Sequence, residues 1–92
     1  MNRFKDKLTK RIFEGSAVKG IPLSTMRRAI IKLTMVEAAV DIRELATPPS
    51  NHLEKLKGNR AGQWSIRVND QYRVCFKWQD SRAFEIEFTD YH

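Results

Sequence analysis

Two stretches of strict alternation, Trp64-Ile66-Val68 and Tyr72-Val74-Phe76-Trp78, leave this chain few ways to fold. Side chains along a strand point to opposite faces in turn, so an apolar residue at every second position predicts two half-buried strands. The residues between them are Ser65 and Arg67 on the first strand and Arg73, Cys75 and Lys77 on the second. The opposite face is therefore cationic or small and polar, and is expected to be wet. Asn69-Asp70 supplies residues that tolerate the left-handed backbone of a tight turn, or of a slightly longer loop. Just ahead lies a basic loop, Lys57-Gly58-Asn59-Arg60-Ala61-Gly62. Its glycines allow close backbone approach to a ligand, but they also serve in ordinary turns. A Walker phosphate loop is excluded, because the Gly-Lys-Ser/Thr ending is missing. An apolar back, a cationic front and a basic loop make a hairpin suited to a polyanion.

Alternation returns in Phe84-Ile86-Phe88 after an Asp80-Ser81 turn, which predicts a third strand. Its other face carries Glu85 and Glu87, expected as cross-strand charge partners of Arg73 and Lys77. Upstream, the spacing changes to that of helices. Leu8, Ile12 and Phe13, with Gly15 as a stop, predict a helix over 5–14. The residues before it form either a short edge strand or a fraying start. Pro22 and a Ser24 cap open a second helix, whose stripe of Met26, Ala29, Ile30, Leu33, Val36 and Val40 should run to about Leu45. An adjoining stripe of Ile31, Met35, Ala38 and Ile42 is either covered by the first helix or left as a partner-binding strip. Thr47-Pro48-Pro49-Ser50 ends the helix and leads into an extended segment over 51–56. In that segment His52 and Glu54 would share one side. The expected fold is α+β: two N-terminal helices packed on one face of a small antiparallel sheet, one domain over 1–92.

The chain has 92 residues, enough for one modest core, and no internal repeat. No apolar run is long enough for a membrane span and the N-terminus is charged, so a cytoplasmic protein that does not engage membranes is expected. A lone cysteine, Cys75, rules out an internal disulfide and reads as a small packing residue. Two histidines far apart without a cysteine pair make a poor metal site, so no metal is expected.

The formal net charge is +6. Part of that excess serves solubility, but its clustering between Lys55 and Lys77 points to a phosphate-bearing partner. Lys55, Arg60, Arg67 and Lys77 are the candidate RNA-backbone contacts. The chain stops at Asp90-Tyr91-His92, either a plain surface terminus or an acid/base set beside the cationic face. Were the phosphate-bearing partner RNA, cleavage without a metal would need a base for the 2′-hydroxyl, cations for the phosphorane and an acid for the departing 5′-oxygen. His92 suits acid or base work near neutrality. Arg73 offers a planar fork for phosphate, with the alternative of a structural pair with Glu85 or Glu87. Glu54 can accept a proton, and Tyr91 can stack on a base or donate to an oxygen.

The run from Leu56 to Asn69, then Tyr72-Arg73-Val74-Cys75-Phe76, and the Asp90-Tyr91-His92 ending resemble the HigB toxins of the RelE/ParE-like superfamily. The likeness is close from about Leu53 onward and looser over the helices. It implies a RelE-like fold and a ribosome-dependent endoribonuclease that cuts messenger RNA in the decoding site without metal or cofactor. It also implies a HigA-type helix-turn-helix antitoxin, bound in a hetero-oligomer. The positions carried over are Lys57, Arg73, Asp90, Tyr91 and His92; from the residues alone Lys57 is not distinguished from Lys55 or Arg60. Several relatives have histidine where this chain has Glu54, which leaves the second acid/base role to Glu54, His52 or another residue. Two other readings stay open. One is a non-catalytic nucleic-acid binder stacking bases on Trp64, Tyr72 or Trp78, against which stands their alternation with apolar neighbours that puts them in the core; the other is an antitoxin-binding relative without nuclease activity.

Overall fold

The computed structural model describes residues 3–90. Two helices, α1 (Lys7–Phe13) and α2 (Leu23–Ala38), precede four strands, β1 (Glu54–Lys55), β2 (Gln63–Arg67), β3 (Tyr72–Gln79) and β4 (Arg82–Asp90). The strands form one antiparallel sheet in the order β1-β2-β3-β4. Both helices lie on its apolar face, α2 against β3 and β4, and α1 against α2 and β4. This is the α+β arrangement that the periodicities predict.

Helix α1 starts at Lys7 because Asp6 caps it, accepting from the Thr9 amide at 2.8 Å. Residues just before it are taken by the sheet: Lys5 N donates to Ile86 O and Ile86 N to Arg3 O, so Phe4 bridges the outer edge of β4. The N-terminal stretch is thus neither a full edge strand nor a fraying start: among the described residues it makes an isolated parallel bridge to the sheet edge. Helix α2 departs from expectation at both ends. It opens at Leu23 behind Pro22, without a Ser24 cap, and it stops at Ala38 rather than near Leu45.

The early stop has a local cause. Glu44 accepts from the amides of Val40 and Asp41 at 2.8 Å each, and Asp41 accepts from the Arg43 amide. This capping box starts a separate 3-10 turn over Ile42–Ala46, and its side chains compete with the helical carbonyls for the same donors. Val40, expected on the buried stripe, is 67% exposed, while Leu45 reaches the core from the new turn. Ile31, on the second stripe, is also exposed.

Ile66, Val68, Val74, Phe76, Ile86 and Phe88 close the core against Met26, Ala29, Leu33 and Val36. Phe84 does not join them as predicted. Glu85 adopts a left-handed φ of 48° and the β3–β4 register slips between Cys75 and Lys77. This bulge inverts the alternation, so Ala83 is buried and Phe84 sits opposite Lys77 on the polar face. Asn69 Oδ1 closes the β2–β3 turn by accepting from the amides of Gln71 and Tyr72. Asp80 and Ser81, both at positive φ, form the two-residue β3–β4 turn. Among the described residues no helix is long and apolar enough to cross a membrane.

Candidate functional site

Residues directly opposite one another in an antiparallel pair share a face, so the register lays out the polar side of the sheet in rows. One row is Glu54, Ser65, Cys75 and Glu87; the next is Arg67, Arg73 and Thr89; a third is Gln63, Lys77 and Phe84. The centre of this face is not wet, contrary to the expectation. Ser65 and Cys75 are both fully buried. Long charged side chains roof them. Arg60 reaches from its loop to Gln63 Oε1 and Glu87 Oε1, at 3.2 Å each, and Lys5 approaches Glu87 at 3.5 Å.

Arg73 stands out by its partners. Its Nε donates to Ser65 Oγ at 2.8 Å and one Nη to the His52 carbonyl at 2.7 Å. The expected pairing with Glu87 is absent because Arg60 and Lys5 hold that carboxylate, and Glu85 pairs with Lys77 at 2.8 Å as predicted. None of the described carboxylates pairs with Arg73. Arg67, its neighbour in the row, is bound to Asp70. The result is a guanidinium fixed in direction by neutral acceptors, with its charge uncancelled.

Lys57 is exposed at the mouth of the basic loop, which Leu56 closes by donating its amide to Gln63 O at 2.8 Å. Gly58 takes the left-handed φ of 64° that starts the 3-10 turn Gly58–Arg60. Glu54 is exposed in the Ser65 row, on the same face as Arg73. Lys55 is not. It pairs with Trp64 and its ammonium lies over that ring at 5.7 Å, on the face away from Arg73. Asp90 ends β4 opposite Tyr72, so the register puts it on the helix-covered face, away from Arg73, where it accepts from Gln71 Nε2 at 3.1 Å. Tyr91 and His92 lie outside the described residues.

Over residues 2–92 the sequence matches the family described as RelE-like toxin of type II toxin-antitoxin system HigB. The chain belongs to the HigB-like toxins. Its partner is accordingly an antitoxin. It is 40% identical over 81 residues to Toxin HigB-1 of Vibrio cholerae, covering 87% of this chain and 85% of that one. It is 34% identical over 89 residues to Endoribonuclease HigB of Proteus vulgaris, covering 97% and 96%. An uncharacterized protein of Haemophilus influenzae is 35% identical over 81 residues, covering 87% and 80%.

In this HigB-like toxin Trp64, Tyr72 and Trp78 pack against the core, as their alternation with apolar neighbours predicts, and are not free to stack on bases. Tyr72 stacks on Phe88 with ring centroids 4.6 Å apart, and Trp78 meets Phe76 edge-on. Burial pushes the Cys75 thiol up, so it stays protonated in its row. The Lys77 ammonium, hydrogen-bonded to Glu85, holds that carboxyl down. Sequence reasoning missed Ser65 and the His52 carbonyl as supports of Arg73. Ser65 had a signal, its place on the Arg73 face of the neighbouring strand; a backbone carbonyl carries none.

Proposed function

We propose that this toxin is a metal-independent endoribonuclease that cuts messenger RNA in the A site of the 70S ribosome and so stops translation. In this reading it works in the cytoplasm, and a HigA-type helix-turn-helix antitoxin restrains it in a hetero-oligomer. The observation that carries the reading is the state of Arg73: directed, held by neutral acceptors, and left with its full charge toward the open face. A relative covering nearly the whole chain is named an endoribonuclease, which supports the same chemistry.

The reaction is an in-line transfer within the RNA. The 2′-oxygen attacks the adjacent phosphorus, the bond to the 5′-oxygen breaks, and a 2′,3′-cyclic phosphate and a 5′-hydroxyl result. Glu54, exposed on the Arg73 face, accepts the proton of the 2′-hydroxyl. Arg73 and Lys57 hold the non-bridging oxygens as negative charge grows on them. His92 returns a proton to the leaving 5′-oxygen, and Asp90 is the accompanying carboxylate of the same terminal set. Tyr91 stacks on a base or donates to an oxygen. Arg60, Arg67 and Lys77, each tied to a carboxylate, add a weaker positive field along the RNA path, and Lys55 contributes from the sheet edge.

The test is inducible expression in a bacterial host, wild type beside a His92 deletion, with growth recorded and new messenger RNA 5′ ends mapped on ribosomes. Growth arrest with in-frame cuts that vanish in the deletion is the expected result. Unchanged growth and transcripts with the wild type would sink the nuclease reading and favour a purely antitoxin-binding protein.

A further inference from the structure

We propose that His52 is a positioning residue that acts through its backbone: its left-handed conformation aims a carbonyl at Arg73, and its imidazole takes no part. The inference rests on the reading of Arg73 as the phosphate-holding cation. His52 sits at φ 46°, ψ 55°, immediately after the 3-10 turn Pro49–Asn51. Only a few per cent of non-glycine residues adopt positive φ, and histidine is among those that tolerate it. This backbone state reverses the chain between the turn and β1. It leaves the carbonyl 2.7 Å from an Arg73 Nη.

The conformation is imposed from beneath. Asn51 is fully buried, and its Nδ2 donates to Leu45 O at 3.1 Å and to Thr47 O at 3.3 Å. Its Oδ1 accepts from the Lys32 ammonium of α2. Lys32 is itself held below the usual ammonium range by burial and then by the nearby Arg28 and Arg67 charges. A completely satisfied buried amide cannot rotate without stranding its partners, so the next residue has little freedom. The imidazole, by contrast, lies at the surface, and no hydrogen bond joins it to the described residues. Strain of this kind persists where the surroundings over-determine it, and here it places one acceptor on one guanidinium.

Two acceptors from separate segments, Ser65 Oγ and His52 O, thus hold the guanidinium at two points. The Ser65 carbonyl also accepts from the same Nη, but only at 3.5 Å, so the 2.7 Å bond to His52 O is the one that fixes the outer end of the guanidinium. Substitutions at His52 separate backbone from side chain, because glycine and asparagine accept positive φ whereas a β-branched valine resists it.

The experiment compares His52→Gly, His52→Asn and His52→Val, each made in the wild-type and Arg73→Ala backgrounds. Cleavage of messenger RNA on programmed ribosomes gives kcat and KM, and the ¹⁵N relaxation of the Arg73 Nε–H reports the guanidinium directly. His52→Gly and His52→Asn should stay within about threefold of wild type in kcat, while His52→Val should lose roughly 10- to 100-fold in kcat with little change in KM, as expected for a misplaced reacting group. That loss should disappear in the Arg73→Ala background, where there is no guanidinium left to misplace. The Nε–H should be rigid in the wild type and in the His52→Gly and His52→Asn variants, and mobile in His52→Val.

Equal losses in His52→Gly and His52→Val would show that the imidazole itself acts and would overturn the proposal. So would a fully active His52→Val, a loss that persists without Arg73, or an Nε–H equally mobile in every variant. If wild type cuts nothing while the Nε–H follows the expected pattern, the nuclease reading fails and the positioning of Arg73 stands.

Discussion

Replacing Arg73 by alanine tests the site most directly, and the structure supplies the magnitude. A single pre-aimed donor to a developing oxyanion contributes about 3–4 kcal/mol in a dry site, or roughly 10²- to 10³-fold in kcat. Arg73 is only half-buried, so solvent screens it and the lower end, about 10²-fold, is expected. The same change removes the hydrogen bonds to buried Ser65 and to the His52 carbonyl. At a net ~1 kcal/mol each, these cost about 1–2 kcal/mol of stability. For a domain of this size that lowers Tm by roughly 5–15 °C, so the assay must run well below the new Tm. Arg73→Lys keeps the charge but cannot reach Ser65 and His52 together, and should recover RNA binding more than kcat. Single-turnover cleavage on ribosomes, with circular dichroism melts of the same samples, measures both quantities. A folded Arg73→Ala protein that cuts within about tenfold of wild type would falsify the phosphate-holding role, since even a screened donor should cost more than that.

Three further outcomes follow from other parts of the fold. Phe76, the largest fully buried side chain, lies at the centre of β3. Phe76→Ala should cost about 3–5 kcal/mol and leave a protein that melts near or below 37 °C by circular dichroism, unless the core collapses into the space. Cys75, buried and with its thiol pushed up, should resist a thiol reagent at mildly alkaline pH and react stoichiometrically once the chain is denatured; rapid labelling of the native protein would contradict its burial. The Arg43 side chain hydrogen-bonded to Asp41 lowers that carboxyl from its ordinary 3.8 to about 2. A depressed folded pKa stabilises fully above the unfolded value and loses its effect as pH falls through the folded one. Asp41→Ala should therefore melt below wild type near neutrality, with the gap closing as the pH drops from 3.8 toward about 2.

Much of the scaffold follows from the order of residues alone. The alternations at Ile66-Val68 and Tyr72-Val74-Phe76 select strands because the period of two is a property of extended backbone, independent of what packs on it. The Met26-Ala29-Leu33-Val36 stripe selects a helix for the same reason. The Lys77–Glu85 pair and the α+β layering then follow from which sides are apolar. Other features depend on competition that no local period records. Helix α2 stops at Ala38 because Asp41 and Glu44 capture amides the helix needs, and Phe84 changes face because one residue, Glu85, bulges. Arg73 illustrates the divide best. Its residue type and position on the cationic face are written in the sequence. Its partners are not: Arg60 and Lys5 arrive from distant loops to claim Glu87, and the His52 carbonyl arrives from the turn beneath α2. Which acceptor a long side chain finds is settled by what other segments bring within about 3 Å, the reach of a hydrogen bond. Only the folded chain decides that.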